Sequence, residues 1–573
     1  MATSLGDGRL SWRADRLRAV LDYAVSSHKR AVLVLVVAAL ISFIPGFFQI
    51  PPVDRDESRF AQATKQMIEH GDYVDIRFQD EVRYKKPVGI YWLQAGVVKA
   101  ASALGLGNAR TKIYLYRFPS LVGAVGAVLL TYWAALAFVS RRAALMAALM
   151  MATSILLGVE ARLAKTDAML LLTVVAAMGA MARTYLADAR APRRTAMTEW
   201  GLPAIFWGAL AAGILLKGPV ILLFVGLPAA TLAIVDRSVR WMKALRPLEG
   251  LLLLLLLVLP WFIAILGRAG SEFIAGSVGE DLLSKIFSGQ ESHGAPPGLY
   301  FVLFWVTFWP GAALAALCVP AVWASRREQG ARFLLAWIVP SWIVFELVIT
   351  KLPHYVLPLY PAIAILIAGV VDPHVLSRQR WLTRSTAWWF VFPALVGLGG
   401  IVLLLVVGRQ LGLLAWPFAA AAVVFGLFAW WLYDVEGAER SLVRAMVASL
   451  MISIAIYGVV MPSLTAAFPS AALMRMIREA NCSNPTAAAV GYHEPSLVFL
   501  LGTQTRLIDA SSAADFLRLG GCRFALIESR QERSFLRRAD AIGLRYAQGP
   551  RFEGFNISNG RRITIAVYSS EVR

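Results

Sequence analysis

Thirteen apolar runs leave this chain few ways to fold except within a bilayer. They lie at about 31–50, 113–139, 143–160, 168–187, 201–216, 219–235, 248–267, 299–323, 331–350, 355–372, 386–408, 413–433 and 443–461. About twenty apolar residues in helical form cross the hydrocarbon layer, where each backbone polar group must be satisfied within its own helix. Composition agrees: 58% of the 573 residues are hydrophobic, 16% are charged, and the mean hydropathy is +0.62. A soluble domain carries about 25% charged residues. The expected architecture is an all-α polytopic membrane protein.

Basic residues orient the spans. The arm at 1–30 holds six of them, and alternate connections carry Arg141/Arg142, Arg183/Arg190/Arg193/Arg194, Arg237/Arg240/Lys243/Arg246, Arg326/Arg327/Arg332, Arg378/Arg380/Arg384 and Arg440/Arg444. The positive-inside rule makes these cytoplasmic and, after an odd number of crossings, leaves the C-terminal tail outside. Basic loops facing an anionic leaflet then account for the net charge of +20, from 56 basic and 36 acidic residues, without invoking nucleic acid. The first apolar run is too long for the core of a cleavable signal.

Segment 87–104 is apolar enough to cross, yet counting it would invert every later loop, so it is expected to lie in the outer interface. Its neighbour at about 57–70 is amphipathic, with Phe60, Thr64, Met67 and Ile68 on one face. The membrane domain thus extends over 31–461, with two interfacial helices in loop 50–112. Beyond Pro462, β-rich runs at 487–492, 523–528 and 563–568 alternate with helical stretches at Ser511 to Leu519 and Glu532 to Ile542. That pattern predicts a small outer α/β domain over 462–573. Within it Cys482 and Cys522 either pair or stay as thiols, while Cys318 lies in an apolar run.

The outer connections gather acids and bases at one membrane face. The first carries Asp54, Asp56, Glu57, Arg59 and then Tyr84, Lys85, Lys86 and Pro87; the second carries Glu160, Arg162, Lys165 and Asp167. The third is Lys217-Gly-Pro, the fourth includes Glu280, Asp281, Lys285, Glu291 and His293, and the fifth is Lys351 to Tyr355, with His354 inside it. A shared polar cavity explains this sidedness better than chance. Blander readings exist for each: Lys217 as a snorkelling helix-end lysine, Lys85 and Lys86 as headgroup contacts, Asp167 as a helix N-cap. Trp92, Trp305, Trp309 and Tyr355 read as an interfacial aromatic belt. His293 with Glu291 or Glu81 offers a set for a divalent ion, though an exposed loop histidine is the simpler reading.

A lipid-linked sugar phosphate needs such a face. Its tail sits in the bilayer, cations stabilise the phosphate as it departs, and a carboxylate takes a proton from the acceptor or orients it. Lys86, Arg59, Lys217 and Lys351 suit the phosphate, and Asp56 suits the carboxylate.

The order D-E-S-R (56–59), K-K-P-V-G-I-Y-W (85–92), K-T-D (165–167), K-G-P (217–219) and K-L-P-H-Y-V-L-P (351–358) resembles the GT-C class of integral-membrane glycosyltransferases over residues 30 to 460. Within that class it is most similar to the lipid A aminoarabinose transferases, with protein O-mannosyltransferases as relatives. The resemblance implies a GT-C-like fold of about thirteen transmembrane helices in the bacterial inner membrane, with its site and C-terminal domain facing the periplasm. It implies transfer of 4-amino-4-deoxy-L-arabinose from undecaprenyl phosphate to lipid A phosphate; the alternatives are a GT-C enzyme that transfers another polyprenyl-phosphate-linked sugar, such as mannose to protein, and, from a different class, a lipid transporter. Asp56, Glu57 and Asp167 become the catalytic candidates; Lys86, Arg59, Lys217, Lys351 and Tyr355 the donor-phosphate candidates; and Tyr84, Lys85, Glu160, Arg162 and His354 the substrate contacts. Asp54 leaves a competing D-x-D reading, and Lys85 doubles the positive charge of its loop.

Overall fold

The computed structural model describes residues 19, 21–187, 197–276 and 294–570. Most of the N-terminal arm, Arg190, Arg193, Arg194, Glu280, Asp281, Lys285, Glu291 and His293 lie outside the described residues. Helices occupy all thirteen apolar runs. Eight of the described helices are long and apolar enough to cross a membrane, or nine if the pair Leu299–Thr307 and Ala312–Ala324, bent by 118°, is one span. The difference from thirteen has local causes. Val220–Asp236 and Trp416–Trp431 are short, the run at 143–160 breaks at Ser154 into Arg141–Thr153 and Ile155–Glu160, and the first run ends its helix at Phe43.

Ion pairs and hydrogen bonds tie several of the basic connections to one another. Arg142 reaches Asp22 at 2.7 Å and Glu439 at 2.5 Å, while Arg332 bonds Asp236, which also accepts from the Tyr185 hydroxyl at 2.7 Å. In the middle, the Arg141–Thr153 helix is buried from Ala143 to Thr153. Its small alanines let neighbouring backbones close in.

The loop after the first apolar run carries two helices. Asp56 and Glu57 in the first turn of Asp56–His70 favour that end of the helix dipole, and Gly71, at φ +71°, ends it in the left-handed region. Its buried residues include Glu57, Ser58 and every position from Phe60 to Met67, so it is a core helix and not one lying on a surface. The amphipathic pattern misses this because its polar side is covered too, by the C-terminal region. The second helix, Gly89–Ala103, keeps Trp92 and Leu93 exposed. Trp309, by contrast, leaves the expected aromatic belt: it is fully buried, and its Nε1 donates to the Trp388 carbonyl at 3.1 Å.

Gly89 sets the position of this second helix. A Cβ there would come within 2.7 Å of the Leu215 carbonyl oxygen, so the helix rests directly on the backbone of Leu202–Lys217. At the same junction a Cβ on Gly218 would meet Pro87 at 4.0 Å. The Lys86 and Lys217 corners therefore adjoin.

The short strands β1 (Arg77–Phe78) and β2 (Glu81–Val82) form a hairpin in the first loop. In the C-terminal region, strands β3 (Thr486–Val490), β4 (Arg506–Leu507), β5 (Arg523–Glu528), β6 (Tyr546–Asn556) and β7 (Arg561–Ser570) form one mixed sheet in the order β4-β3-β5-β7-β6. Side chains alternate between its faces with period two. Ala487, Ala489 and Leu526 pack with Leu473 and Ile477 of Pro469–Glu479. Ala488, Val490, Ala525 and Ile527 pack on the other face against Ala510–Arg518 and Glu532–Ala541. Pro495–Leu501 and β6 are elements absent from the sequence reading, and Cys482 and Cys522 pair as a disulfide.

Gly89→Val tests the junction. The added side chain has backbone in its way, so we expect a loss of about 1–3 kcal/mol, read as a lower melting temperature in detergent, while Gly96→Val, with no atom within 4 Å of its added Cβ, melts like wild type.

Candidate active site

The site is built around one buried ion pair. Arg117 sits inside the Ile113–Ala135 helix, 1% exposed, where a guanidinium persists only if every donor is matched. All five N–H groups are. Nε donates to Glu57 Oε1 at 2.7 Å, Nη1 to the Phe47 and Ile50 carbonyls at 3.1 and 2.7 Å, and Nη2 to the Pro51 carbonyl and Glu57 Oε2 at 2.9 Å each. The Glu57 carboxylate also accepts from the backbone N–H of Ala164 at 2.9 Å and of Val53 at 2.8 Å. One pair thus fastens the end of the first apolar run, the Asp56 turn and the loop before Lys165.

This corrects two expectations. Glu57 has each oxygen doubly hydrogen-bonded and cannot serve a proton transfer; it positions the loop. Arg162, expected to touch substrate, is 3% exposed and binds the Pro45 carbonyl at 2.8 Å, Ser453 Oγ at 2.6 Å and the Gly158 and Ser42 carbonyls, with Tyr457 stacked 4.1 Å away. It closes the ends of helices. Arg117 itself escaped the sequence reading, although a lone arginine inside an apolar run is a signal for a buried partner.

Four connections bring the remaining groups together. Asp167 opens the Asp167–Tyr185 helix, one residue after the cap position held by Thr166, and its carboxylate bonds the Lys217 ammonium instead of capping. Lys165 Nζ lies 3.1 Å from Glu160 Oε1 and 3.9 Å from Asp167 Oδ2. His354 stands between the two acids, with Nδ1 3.6 Å from Glu160 Oε1 and Nε2 3.6 Å from Asp167 Oδ1. The Lys217 ammonium also faces the Tyr355 ring at 5.4 Å. Asp56 is exposed beside this cluster, and its charge acts on Lys165.

Glu160, Asp167 and His354 offer ligand atoms within 4.8 Å of one another, close enough for a metal ion. Lys165 on Glu160 Oε1 and Lys217 on Asp167 compete for these oxygens, while Glu160 Oε2 is buried with no hydrogen-bond partner among the described residues. The alternative set is divided: Glu81 is exposed on β2, and its partners lie outside the described residues.

Of the other candidates, Lys86 is half-buried and Lys85 exposed, so the two lysines are not equivalent. Tyr84 is buried against Phe273 with its hydroxyl on Asp75 at 3.0 Å. Lys351 is 5% exposed, and its ammonium donates to the Val348 carbonyl at 2.5 Å, within its own turn. Arg59 is half-buried one turn along from Asp56.

Fold and site together define a multi-pass membrane protein that resembles the GT-C glycosyltransferases, with a charged cluster at the helix ends opposite its basic loops. Residues 30–269 match the dolichyl-phosphate-mannose-protein mannosyltransferase family. Among curated relatives, the undecaprenyl phosphate-alpha-4-amino-4-deoxy-L-arabinose arabinosyl transferase of Pectobacterium carotovorum is 26% identical over 363 residues, 63% of this chain and 62% of its own. The enzyme of that name from Erwinia tasmaniensis is 29% identical over 329 residues, 55% of this chain and 54% of its own, so the chain spans less than two thirds of the length of these relatives. Among solved structures, ArnT from Cupriavidus metallidurans bound to undecaprenyl phosphate shares the fold, with a TM-score of 0.70 at 20% identity over 94% of this chain and 98% of that one.

Arg117→Met would leave the Glu57 charge buried without its partner. We expect a loss of about 3–5 kcal/mol, measured as thermal unfolding in detergent, and a smaller loss in the double variant Arg117→Met/Glu57→Met than the two single losses summed. Strict additivity would show that the two side chains do not act as a pair.

Proposed function

We propose that this chain transfers 4-amino-4-deoxy-L-arabinose from undecaprenyl phosphate to a lipid A phosphate at the periplasmic face of a bacterial inner membrane. The observation that carries the reading is the convergence of Asp167, Lys165, Lys217 and His354, from three separate connections, beside the exposed Asp56. The relatives named for that transfer and the shared fold supply the substrate class. The finer topology belongs to the same proposal: thirteen crossings, a cytoplasmic N-terminus and a periplasmic α/β domain over 462–573.

In this reading the lipid tail lies along the helices and the donor phosphate meets Lys86 and Lys217 at their shared junction. Negative charge on that phosphate grows as the glycosidic bond breaks, so cations aimed there lower the barrier more than they tighten ground-state binding. Asp167 holds Lys217 in place. The acceptor is a phosphate with a second pKa of about 6, largely anionic at neutral pH, so it needs little help from a base. Asp56 then orients the acceptor or the sugar amine.

Three measurements test this. Mass spectrometry of lipid A from cells with and without the gene should show the aminosugar only with it; sugar appearing on exported protein instead would move the enzyme to the mannosyltransferase reading. In vesicles with lipid-linked donor, Asp56→Asn should abolish transfer while donor binding stays, and Lys86→Ala should lose it where Lys85→Ala keeps most. Equal, mild losses for both lysines that vanish at high salt would mean that they only attract lipid. Cysteines introduced as Asp80→Cys and Gly107→Cys should both label from the periplasm, and labelling on opposite sides would overturn the topology.

A further inference from the structure

The polar side of the Asp56–His70 helix is covered by the C-terminal region. Gln62 Nε2 donates to Thr503 Oγ1 at 2.8 Å, Lys65 Nζ to the Phe499 carbonyl at 3.0 Å, and Thr503 Oγ1 to Glu69 Oε2 at 2.7 Å. From the adjacent hairpin, Gln79 Nε2 reaches the Thr503 and Thr505 carbonyls at 3.0 and 2.6 Å. Phe499 is fully buried among Ala61, Val98, Tyr116 and Ala164, all from the membrane part of the chain. At the helix start, Asp54 accepts from both the backbone N–H and the hydroxyl of Ser496, each at 2.8 Å. Ser496 Oγ continues to Ser470 Oγ at 2.6 Å, and that to the Tyr492 hydroxyl at 2.9 Å.

Asp56 therefore stands between two anchors that pull in different directions. Two residues before it, Asp54 is tied to the C-terminal region; one residue after it, Glu57 is tied to Arg117 in the bundle. A side chain whose neighbours are held on both sides keeps little freedom to wander, and pre-set placement of a reacting group is worth large factors in rate. Resting on the proposed function of Asp56, we propose that the Asp54–Ser496 contact is a positioning device, by which the C-terminal region holds the first turn of the Asp56 helix at the mouth of the lysine cluster.

The contact is also sensitive to pH. Burial, then the charge of Glu494, pushes the Asp54 carboxyl up to about 7, the two Ser496 hydrogen bonds pull it partway back, and Glu57 adds to the rise. The charged and titratable groups around it are Glu494 and Tyr492 from the C-terminal region and Glu57 on its own loop. A carboxyl raised above its unfolded value of 3.8 binds its proton more tightly in the docked state. Docking is accordingly strongest with Asp54 protonated and weakens as pH rises through about 7.

The test uses the full-length protein in nanodiscs, with transfer kinetics and amide hydrogen exchange at residues 53–60 and across the sheet, at pH 6 and pH 8. Asp54→Ala should lower kcat about 10- to 100-fold with the donor KM within about twofold. It should speed exchange at 53–60 and leave the sheet protected. Asp54→Asn, which still accepts from the Ser496 N–H, should restore both and abolish the loosening between pH 6 and pH 8. If Asp54→Ala unfolds the sheet, Ser496→Ala decides by the same readouts. Wild-type kcat in the alanine variants, or lost kcat with unchanged exchange at 53–60, overturns the proposal. Should the wild type transfer nothing, the functional reading fails by itself, and the exchange at 53–60 in Asp54→Ala still shows whether the clamp exists.

Discussion

A guanidinium cut off from water must find all its hydrogen-bond acceptors in the protein, and Arg117 finds them at the place where the first apolar run ends. Its charge is neutralised by Glu57, whose remaining lone pairs take the backbone N–H groups of Val53 and Ala164. The end of the first apolar run, the Asp56 turn and the loop before Lys165 are thereby held in one geometry. A pair like this adds little net stability over a well-packed apolar core, but losing either partner is costly. Its worth lies in specifying one arrangement of the loop that carries Asp56.

The lysine cluster depends on that arrangement at one remove. Ala164, pinned by Glu57, precedes Lys165, and Lys165 bridges Glu160 and Asp167. Asp167 in turn holds Lys217, which the Gly89 contact brings next to Lys86. Two ammonium groups and two carboxylates balance one another before any substrate arrives. On the proposed reading an incoming phosphate competes with Asp167 for Lys217, so the acids keep the cations charged and aimed without trapping the product phosphate. A cluster of lysines alone would bind every anionic headgroup in the leaflet.

What the sequence revealed, and what it hid, divides along the range of the interaction. The helices at the apolar runs follow from local composition, and the K-K-P, K-T-D, K-G-P and K-L-P-H-Y corners could be set at one face by counting charges between runs. The paired roles of Arg117 and Glu57 could not, because sixty residues separate them. Glu57 next to Asp56 reads as a second catalytic acid until its four hydrogen bonds are seen. Asp167 likewise reads as a helix cap, yet it falls one residue past the cap position and its carboxylate is held by Lys217, fifty residues away. Trp309 illustrates the limit for aromatic residues, since a tryptophan near a run end looks identical whether it faces lipid or the Trp388 carbonyl. The polar side of the Asp56–His70 helix reads as solvent-facing because its cover comes from residues more than four hundred positions later.

That cover gives the C-terminal sheet a reason to exist. On the proposed reading the loop that carries Asp56 faces two demands in conflict: it must open enough to admit two lipid-borne substrates, and it must hold Asp56 still while they react. Anchoring the loop wholly within the bundle would serve the second at the expense of the first. Dividing the anchors, with Glu57 on the bundle and Asp54 on the Pro495–Leu501 helix, would allow one tie to loosen while the other keeps the helix in register. The chemistry of the two ties matches this division. Arg117 and Glu57 are opposite charges in an apolar setting, whereas Asp54 meets neutral donors beside the like charge of Glu494. A loop built this way is tied at Glu57 by an opposite charge and at Asp54 by neutral donors, with Asp56 between them.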